Sequence, residues 1–387
     1  MRRLLLVVAA VVVVDTMLFA ALTPLLPDYA EDFGLSKAGA GILVASYAFG
    51  VLAGAVPAGM IAARVGPKRA ALTGILVVGA ASIGFAFADN AWALGLARFC
   101  QGLGSSLSWA GGLAWLIAAA PRSRRGEMLG TALGAAIFGA LLGPVLGGVA
   151  SIVGTRATFI AVAVITAVVV AVGSRVPGAG REPLRLPALR RAVAEPRFLG
   201  GMWLMFLAAL LFGVMAVLAS LKLDELGWSA VWIGALFFCS AGLEAVINPF
   251  IGRVADRRGA LTPLRIALPV GIAVALVLGW VERAPLLALF VLVAAVSWGT
   301  LFTPGLALLS DGAERVGLSL PLAYGVMNGA WALGAVSGPA LGGLLGETVG
   351  DPLAYGVGAL ACAATLLGVI RASQGAGTLD ARVPEVP

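Results

Sequence analysis

A few polar side chains stand isolated within long apolar runs, and they are the places where chemistry can occur. Asp15 follows eleven apolar residues, 4–14, and is followed by a mostly apolar stretch to Pro27. Glu244 lies in Phe237-Phe238-Cys239-Ser240-Ala241-Gly242-Leu243-Glu244-Ala245-Val246-Ile247-Asn248-Pro249. Arg98 and Gln101, three residues apart, share one helix face. A carboxylate in hydrocarbon costs about 2.5–3.5 kcal/mol even on a lenient insertion scale, so both acids are expected to face a cavity. Burial disfavours the charged form of a carboxyl. Such a group can take a proton or pair with a cation, and the two then compete for one site. That competition is antiport in its simplest form. The structural alternatives are a hydrogen-bonded Asp15 at a helix contact and a Glu244 bonded into the Asn248-Pro249 break. Arg98 cannot readily shed its proton, so it needs an acid, a carbonyl or water. A clamp onto a neighbouring backbone would satisfy it as well as a proton path would.

Composition identifies the elements that must hold these residues. Of 387 residues, 60% are hydrophobic, only 12% are charged, and 53 are glycine. So few charges cannot cover a soluble surface, which points to a polytopic membrane protein. There is no histidine, which excludes histidine-ligated metals, Ser-His-Asp triads and histidine proton relays. Cys100, Cys239 and Cys362 are widely spaced in apolar runs and imply packing rather than disulfides or a metal site.

Apolar runs of about 20 residues predict twelve spans: 4–27, 38–62, 70–88, 91–118, 129–153, 157–174, 198–221, 229–251, 261–281, 285–309, 321–346 and 352–371. The first run is too long for a signal peptide and is followed by eleven more, so it is read as a helix. With the N-terminus inside, 21 of the 26 Lys and Arg fall on cytoplasmic segments. Lys37, Arg156, Lys222 and Arg283 fall outside, and Arg98 within a span. Both termini are therefore expected in the cytoplasm. The net charge of +7 reflects this asymmetry and calls for no nucleic-acid partner. The expected organisation is an N-terminal six-helix bundle (1–174), a cytoplasmic linker (175–197), a C-terminal six-helix bundle (198–371) and a cytoplasmic tail (372–387).

The halves repeat each other. Gly59-Met-Ile-Ala-Ala63-Arg64-Val-Gly66-Pro-Lys68-Arg69 recurs as Gly252-Arg-Val-Ala-Asp256-Arg257-Arg258-Gly259, at an offset of 193. Gly139-Ala-Leu-Leu-Gly143-Pro144-Val-Leu-Gly147-Gly148 recurs as Gly334-Ala-Val-Ser-Gly338-Pro339-Ala-Leu-Gly342-Gly343, at an offset of 195. Two motif pairs at nearly one offset imply parallel repeats related about the membrane normal. The small residues allow close helix contact and the prolines bend the helices, which suggests kinked contacts between the halves that limit leak.

These motifs, with Arg98-Phe-Cys-Gln101-Gly102, resemble those of the major facilitator superfamily. The span-5 string is similar to the signature of its proton-coupled drug antiporters. Asp15-Thr-Met-Leu-Phe-Ala-Ala-Leu-Thr-Pro24-Leu-Leu-Pro27-Asp28-Tyr29 resembles helix 1 of bacterial multidrug exporters and of the related vesicular amine transporters. The resemblance implies an all-α membrane fold of twelve helices in two six-helix bundles with pseudo-two-fold symmetry. It implies substrate or proton binding at Asp15 and help with proton transfer from Arg98. The loops bearing Gly59, Arg64, Gly66 and Arg69, and Gly252, Asp256, Arg257 and Gly259, would be gating elements. Gly143, Pro144, Gly338 and Pro339 would be gating elements too. Two positions depart from the pattern: Ala63 replaces an acid in the first loop, and Asn328 stands where the amine transporters carry an acid.

The expected function is proton-coupled export of lipophilic cations by alternating access. Asp15, Glu244 and Arg98 would carry coupling. Substrate would meet Asp15, Gln101, Glu244, Asn328 and an aromatic lining of Tyr47, Trp109, Phe138, Phe237, Trp298 and Trp331. One proton crossing 100 mV supplies about 2.3 kcal/mol, roughly a fifty-fold gradient. No cofactor is expected beyond the proton gradient, and no P-loop is present for ATP-driven work. The expected partners are a small molecule, protons and the bilayer, with the chain a monomer in a bacterial-type inner membrane. A proton-linked permease or exporter for a sugar, amino acid or other metabolite is the alternative, and a transporter-like receptor or lipid-handling protein a third.

Overall fold

The computed structural model describes residues 2–119, 125–178, 180, 186–318 and 320–380. Arg122, Arg124, Arg181, Arg185, Arg382 and the side chain of Asp256 lie outside the described residues. All regular structure among the described residues is helical. The helices are α1 (Arg2–Ala20), α2 (Leu26–Asp32), α3 (Lys37–Val65), α4 (Pro67–Ala86), α5 (Ala91–Ala119), α6 (Arg125–Val153), α7 (Thr155–Ser174), α8 (Leu186–Ala192), α9 (Pro196–Glu225), α10 (Ala230–Arg258), α11 (Leu264–Leu278), α12 (Ala284–Gly299), α13 (Phe302–Arg315), α14 (Leu320–Thr348) and α15 (Asp351–Asp380).

Every expected span falls on a helical pass. Pro24 has no N–H to continue α1, so the first pass bends through a 3₁₀ turn at Thr23–Leu25 before α2. The tenth pass is likewise divided, into α12 and α13. Nine stretches among the described residues are long and apolar enough to cross a membrane, and α11 is a shorter apolar helix. Helices α5 and α14, each of 29 residues, supply the remaining passes. In α5, Arg98, Gln101 and three serines dilute the hydropathy. Local chemistry sets the ends. The Ser36 hydroxyl caps α3 by accepting from the Gly39 N–H at 3.3 Å, and Glu195 caps α9 by accepting from the N–H groups of Arg197 and Phe198.

The helix contacts obey the repeat. Helix α1 packs on α6 and α9 on α14; α3 packs on α5 and α10 on α12; α4 packs on α7 and α11 on α15. Between the halves α3 meets α14 and α6 meets α10, two contacts that the same symmetry exchanges. Gly66 and Gly259, at equivalent positions, end α3 and α10 with φ of +97° and +93°. Only glycine adopts that backbone readily, so one turn is built identically in each half.

The Gly-Pro strings pack in two directions, which refines the expectation of contacts between halves. A Cβ on Gly139, Gly143 or Gly147 would collide with α1 or the turn after it, at Thr16, Ala20 and Ala21. A Cβ on Gly334 or Gly338 would collide with the Phe206 or Leu210 carbonyl of α9. These glycines therefore close each half on itself. The crossing contacts come from the neighbouring faces. The Pro339 carbonyl fills the space beside Gly41, the Lys37 carbonyl that beside Gly343, and the Pro144 carbonyl that beside Gly234.

Candidate functional site

Helix α1 carries Asp15 into the N-terminal half, where it is 3% exposed. Three neutral donors converge on it. The Tyr47 hydroxyl from α3 donates to Oδ1 at 2.8 Å; from α5, the Ser105 hydroxyl donates to Oδ2 at 3.0 Å and the Trp109 indole N–H to Oδ2 at 2.6 Å. The α5 stripe Gln101, Ser105, Trp109 has i, i+4 spacing, which places all three on one face. Gly50 and Gly102 let α3 and α5 touch at the backbone, since a Cβ on Gly102 would overlap the Tyr47 carbonyl. That close approach sets the Tyr47 ring between the Asp15 and Arg98 side chains.

Arg98, 1% exposed, does not reach the carboxylate. Its Nη1 donates to the Leu18 carbonyl at 2.7 Å and to Gln101 Oε1 at 3.3 Å, and its Nη2 donates to the Phe19 carbonyl at 3.0 Å. Its guanidinium also lies 4.7 Å from the Tyr47 ring centroid, within cation–π range. Leu18 and Phe19 form the last turn of α1, whose carbonyls lose helical partners at the proline break. A fixed cation at a helix C-terminus also suits the helix dipole. The geometry is therefore that of the backbone clamp. Gln101 continues the chain by donating to the Ser82 hydroxyl at 3.0 Å.

Phe19, one turn beyond Asp15, closes the site with aromatic contacts that cross the halves. Its centroid lies 5.4 Å from Tyr47 and 5.0 Å from Trp331 on α14. Tyr47 and Val51 pack on Ala332, and Ala48 packs on Ala209 and Ala335. On one side of this layer lies a polar latch. Lys37 Nζ sits 2.8 Å from Asp351 Oδ1, and the Ala38 N–H at the start of α3 donates to Glu347 Oε2 at 2.9 Å.

The other expected residues lie apart from Asp15. Glu244 is half-buried on α10, one turn from Asn248 and pressed against Gly299 of α12. Trp298 is 1% exposed, seated against Gly271 and edge-on to Phe212, inside the C-terminal half. Phe237 packs on that half's core, Phe138 is 54% exposed, and Asn328 is half-buried. Among the gating residues, Arg64, Arg69 and Arg257 are exposed and Gly59 borders open space. Reading residue types alone missed Ser105, Phe19, Lys37, Glu347 and Asp351. Ser105 was detectable from its place midway between Gln101 and Trp109.

Among the described residues no cluster of acids and cysteines could hold a metal ion. What the site can do is hold one carboxylate charged or protonated, among neutral donors and aromatic faces.

Comparison with known proteins agrees with the fold. The chain is 37% identical over 141 residues to a probable vesicular acetylcholine transporter-B of Danio rerio, covering 34% of this chain and 29% of that protein. It is 30% identical over 106 residues to a probable sugar efflux transporter of Helicobacter pylori, 27% of each chain. A gentisate transporter of Corynebacterium glutamicum matches at 37% over 75 residues, 19% of this chain and 17% of that one. Each match thus spans less than a third of the relative. Among solved structures, a D-xylose-proton symporter superposes with a TM-score of 0.76 at 16% identity, covering 95% of this chain and 96% of that one. A bacterial homologue of the lysosomal transporter Spinster, inward-facing and unoccupied, superposes at 0.71 and 13% identity, covering 95% and 94%. The repeat-related helix contacts, the shared turns at Gly66 and Gly259, and a sequence model matching residues 8–320 lead to one assignment: the chain is a multi-pass membrane transporter of the Major Facilitator Superfamily.

Proposed function

We propose that this transporter exports lipophilic, cationic compounds in exchange for protons entering from outside, by alternating access in a bacterial-type inner membrane. The observation that carries the reading is Asp15, a buried carboxylate with three neutral donors and no ion-pair partner among the described residues. A carboxylate with no cation in direct contact can be neutralised either by a proton or by an ammonium group, and each excludes the other. The aromatic rings of Tyr47, Trp109, Phe19 and Trp331 suit an apolar body bearing that charge. The partial match to a probable vesicular acetylcholine transporter and the resemblance of the Asp15 region to amine exporters favour a cation. Protons and substrate are the only partners the mechanism needs, and the imposed gradient replaces any cofactor.

The matched sugar efflux and gentisate transporters favour a second reading, export of a neutral or acidic metabolite. A screen separates the two. Reconstituted protein under an imposed pH gradient should transport lipophilic cations and not sugars or aromatic acids. Transport of neutral sugars alone would overturn the cation reading.

A further inference from the structure

The two oxygens of Asp15 are not equivalent, and the difference determines where a proton can go. Oδ2 faces the Trp109 N–H at 2.6 Å. An indole nitrogen only donates, so this contact opposes a hydrogen on Oδ2. Oδ1 faces the Tyr47 hydroxyl, which can donate or accept. The same hydroxyl lies 3.4 Å from the Asp15 backbone carbonyl, so its hydrogen has a second acceptor when it turns away from the carboxylate. Arg98 meanwhile holds the ring face at 4.7 Å, and Phe19 holds the ring from another side at 5.4 Å. The ring is fixed and only the hydroxyl hydrogen is free to rotate.

We infer that Tyr47 is the positioning residue for proton coupling, a hydroxyl switch that stabilises Asp15 in both protonation states. This rests on the proton-coupled reading above. With Asp15 charged, Tyr47 donates to Oδ1. When a proton arrives, an O–H bond forms on Oδ1 and donates to Tyr47 Oη, while the tyrosine hydrogen rotates about its C–O bond toward the Asp15 carbonyl. Tyr47 keeps its own proton throughout, and the incoming proton remains on Asp15 until it leaves by the same oxygen. A cation entering beside Oδ2 has to displace the Trp109 N–H, so the two ligands approach different oxygens of one group.

The other groups that bear on Asp15 do not offer a competing switch. From α5, Arg98 is a fixed cation turned toward the Leu18 and Phe19 carbonyls. Residues 128–153 of α6 contain no titratable side chain, and Lys68, Arg69 and Arg156 stand at the ends of α4 and α7. Ser105 could also rotate, but it shares Oδ2 with Trp109.

The test reads the Asp15 proton directly. Infrared difference spectra are titrated with pH on purified, lipid-reconstituted protein, and the carboxyl band is assigned by its loss in Asp15→Asn. Tyr47→Phe keeps the ring, and with it the contacts to Arg98 and Phe19, and removes only the switch. It loses more for the carboxylate than for the acid, because a hydrogen bond to a charged group is the stronger. The Asp15 midpoint should therefore move upward, by about one pH unit, and the carboxyl stretch should shift as its hydrogen-bond acceptor disappears. Ser105→Ala should move the midpoint less. An unmoved midpoint and unmoved band in Tyr47→Phe would overturn the switch, as would a larger shift in Ser105→Ala. Absence of any titrating Asp15 band in the wild type would overturn the proton-coupled reading itself. The readout needs no substrate, so failure of the cation screen leaves it interpretable.

Discussion

Arg98 shows how one side chain can be fixed by backbone rather than by charge. The sequence marked it as an ion that needs a partner, and an acid was one candidate. The partners are instead the Leu18 and Phe19 carbonyls, acceptors that every residue possesses and that leave no trace in sequence. Asp15 was legible because a lone acid after eleven apolar residues is costly wherever it points. Its donors were only partly legible. Tyr47 and Trp109 stood out as aromatics, yet so did Trp298, which the structure buries against Gly271. A tryptophan's type does not distinguish a site wall from a core. Because Arg98 acts through a two-pronged fork, lysine cannot replace it. Arg98→Lys is expected to lower stability by about 1.5–3 kcal/mol, the worth of one charged hydrogen bond, seen as a lower thermal unfolding midpoint. An unchanged midpoint would show that the charge alone is what the site requires.

Among the helices, the glycines divide the labour between holding a half together and joining the two halves. Spacing made the Gly-Pro strings visible but could not tell which face of each helix met which neighbour. The structure does so through the atoms a side chain would strike. Gly338 has the Leu210 carbonyl where its Cβ would be, whereas Gly329, on the same helix, has no atom within 4 Å. Gly338→Val should therefore abolish monodisperse protein on size-exclusion chromatography, and Gly329→Ala should leave yield and elution unchanged. Equal tolerance of both would mean that α14 does not pack on α9 as described. The twelve passes were legible because each needs its own run of about 20 apolar residues. The bends at Pro24 and between α12 and α13 place the helix ends more finely than that rule can.

For the whole transporter, the two halves meet near Lys37, Asp351 and Glu347, the end that the Lys/Arg distribution assigns to the outside. Lys37 and Asp351 are 314 residues apart, so no local pattern could have joined them. A half-exposed ion pair contributes about 0–1 kcal/mol. The Glu347 carboxylate, accepting from the Ala38 N–H at the α3 N-terminus, also suits the helix dipole. A pair worth up to about 1 kcal/mol corresponds to at most about a 5-fold bias between two states of this end, small enough to be reversed. Lys37→Gln with Glu347→Gln should increase labelling of an outer-facing cysteine introduced near Tyr47. The exchange Lys37→Asp with Asp351→Lys should restore low labelling. Labelling that ignores both would remove the latch from the gating cycle.

Exchange of a proton for a cation at Asp15 is most directly tested in sealed proteoliposomes carrying a pH-sensitive dye. Addition of a transported lipophilic cation should drive proton movement with the wild-type protein. In Asp15→Asn, which preserves shape but cannot titrate, that movement should fall to the level of empty vesicles. Full substrate-driven proton movement in Asp15→Asn would contradict the assignment of coupling to this carboxylate.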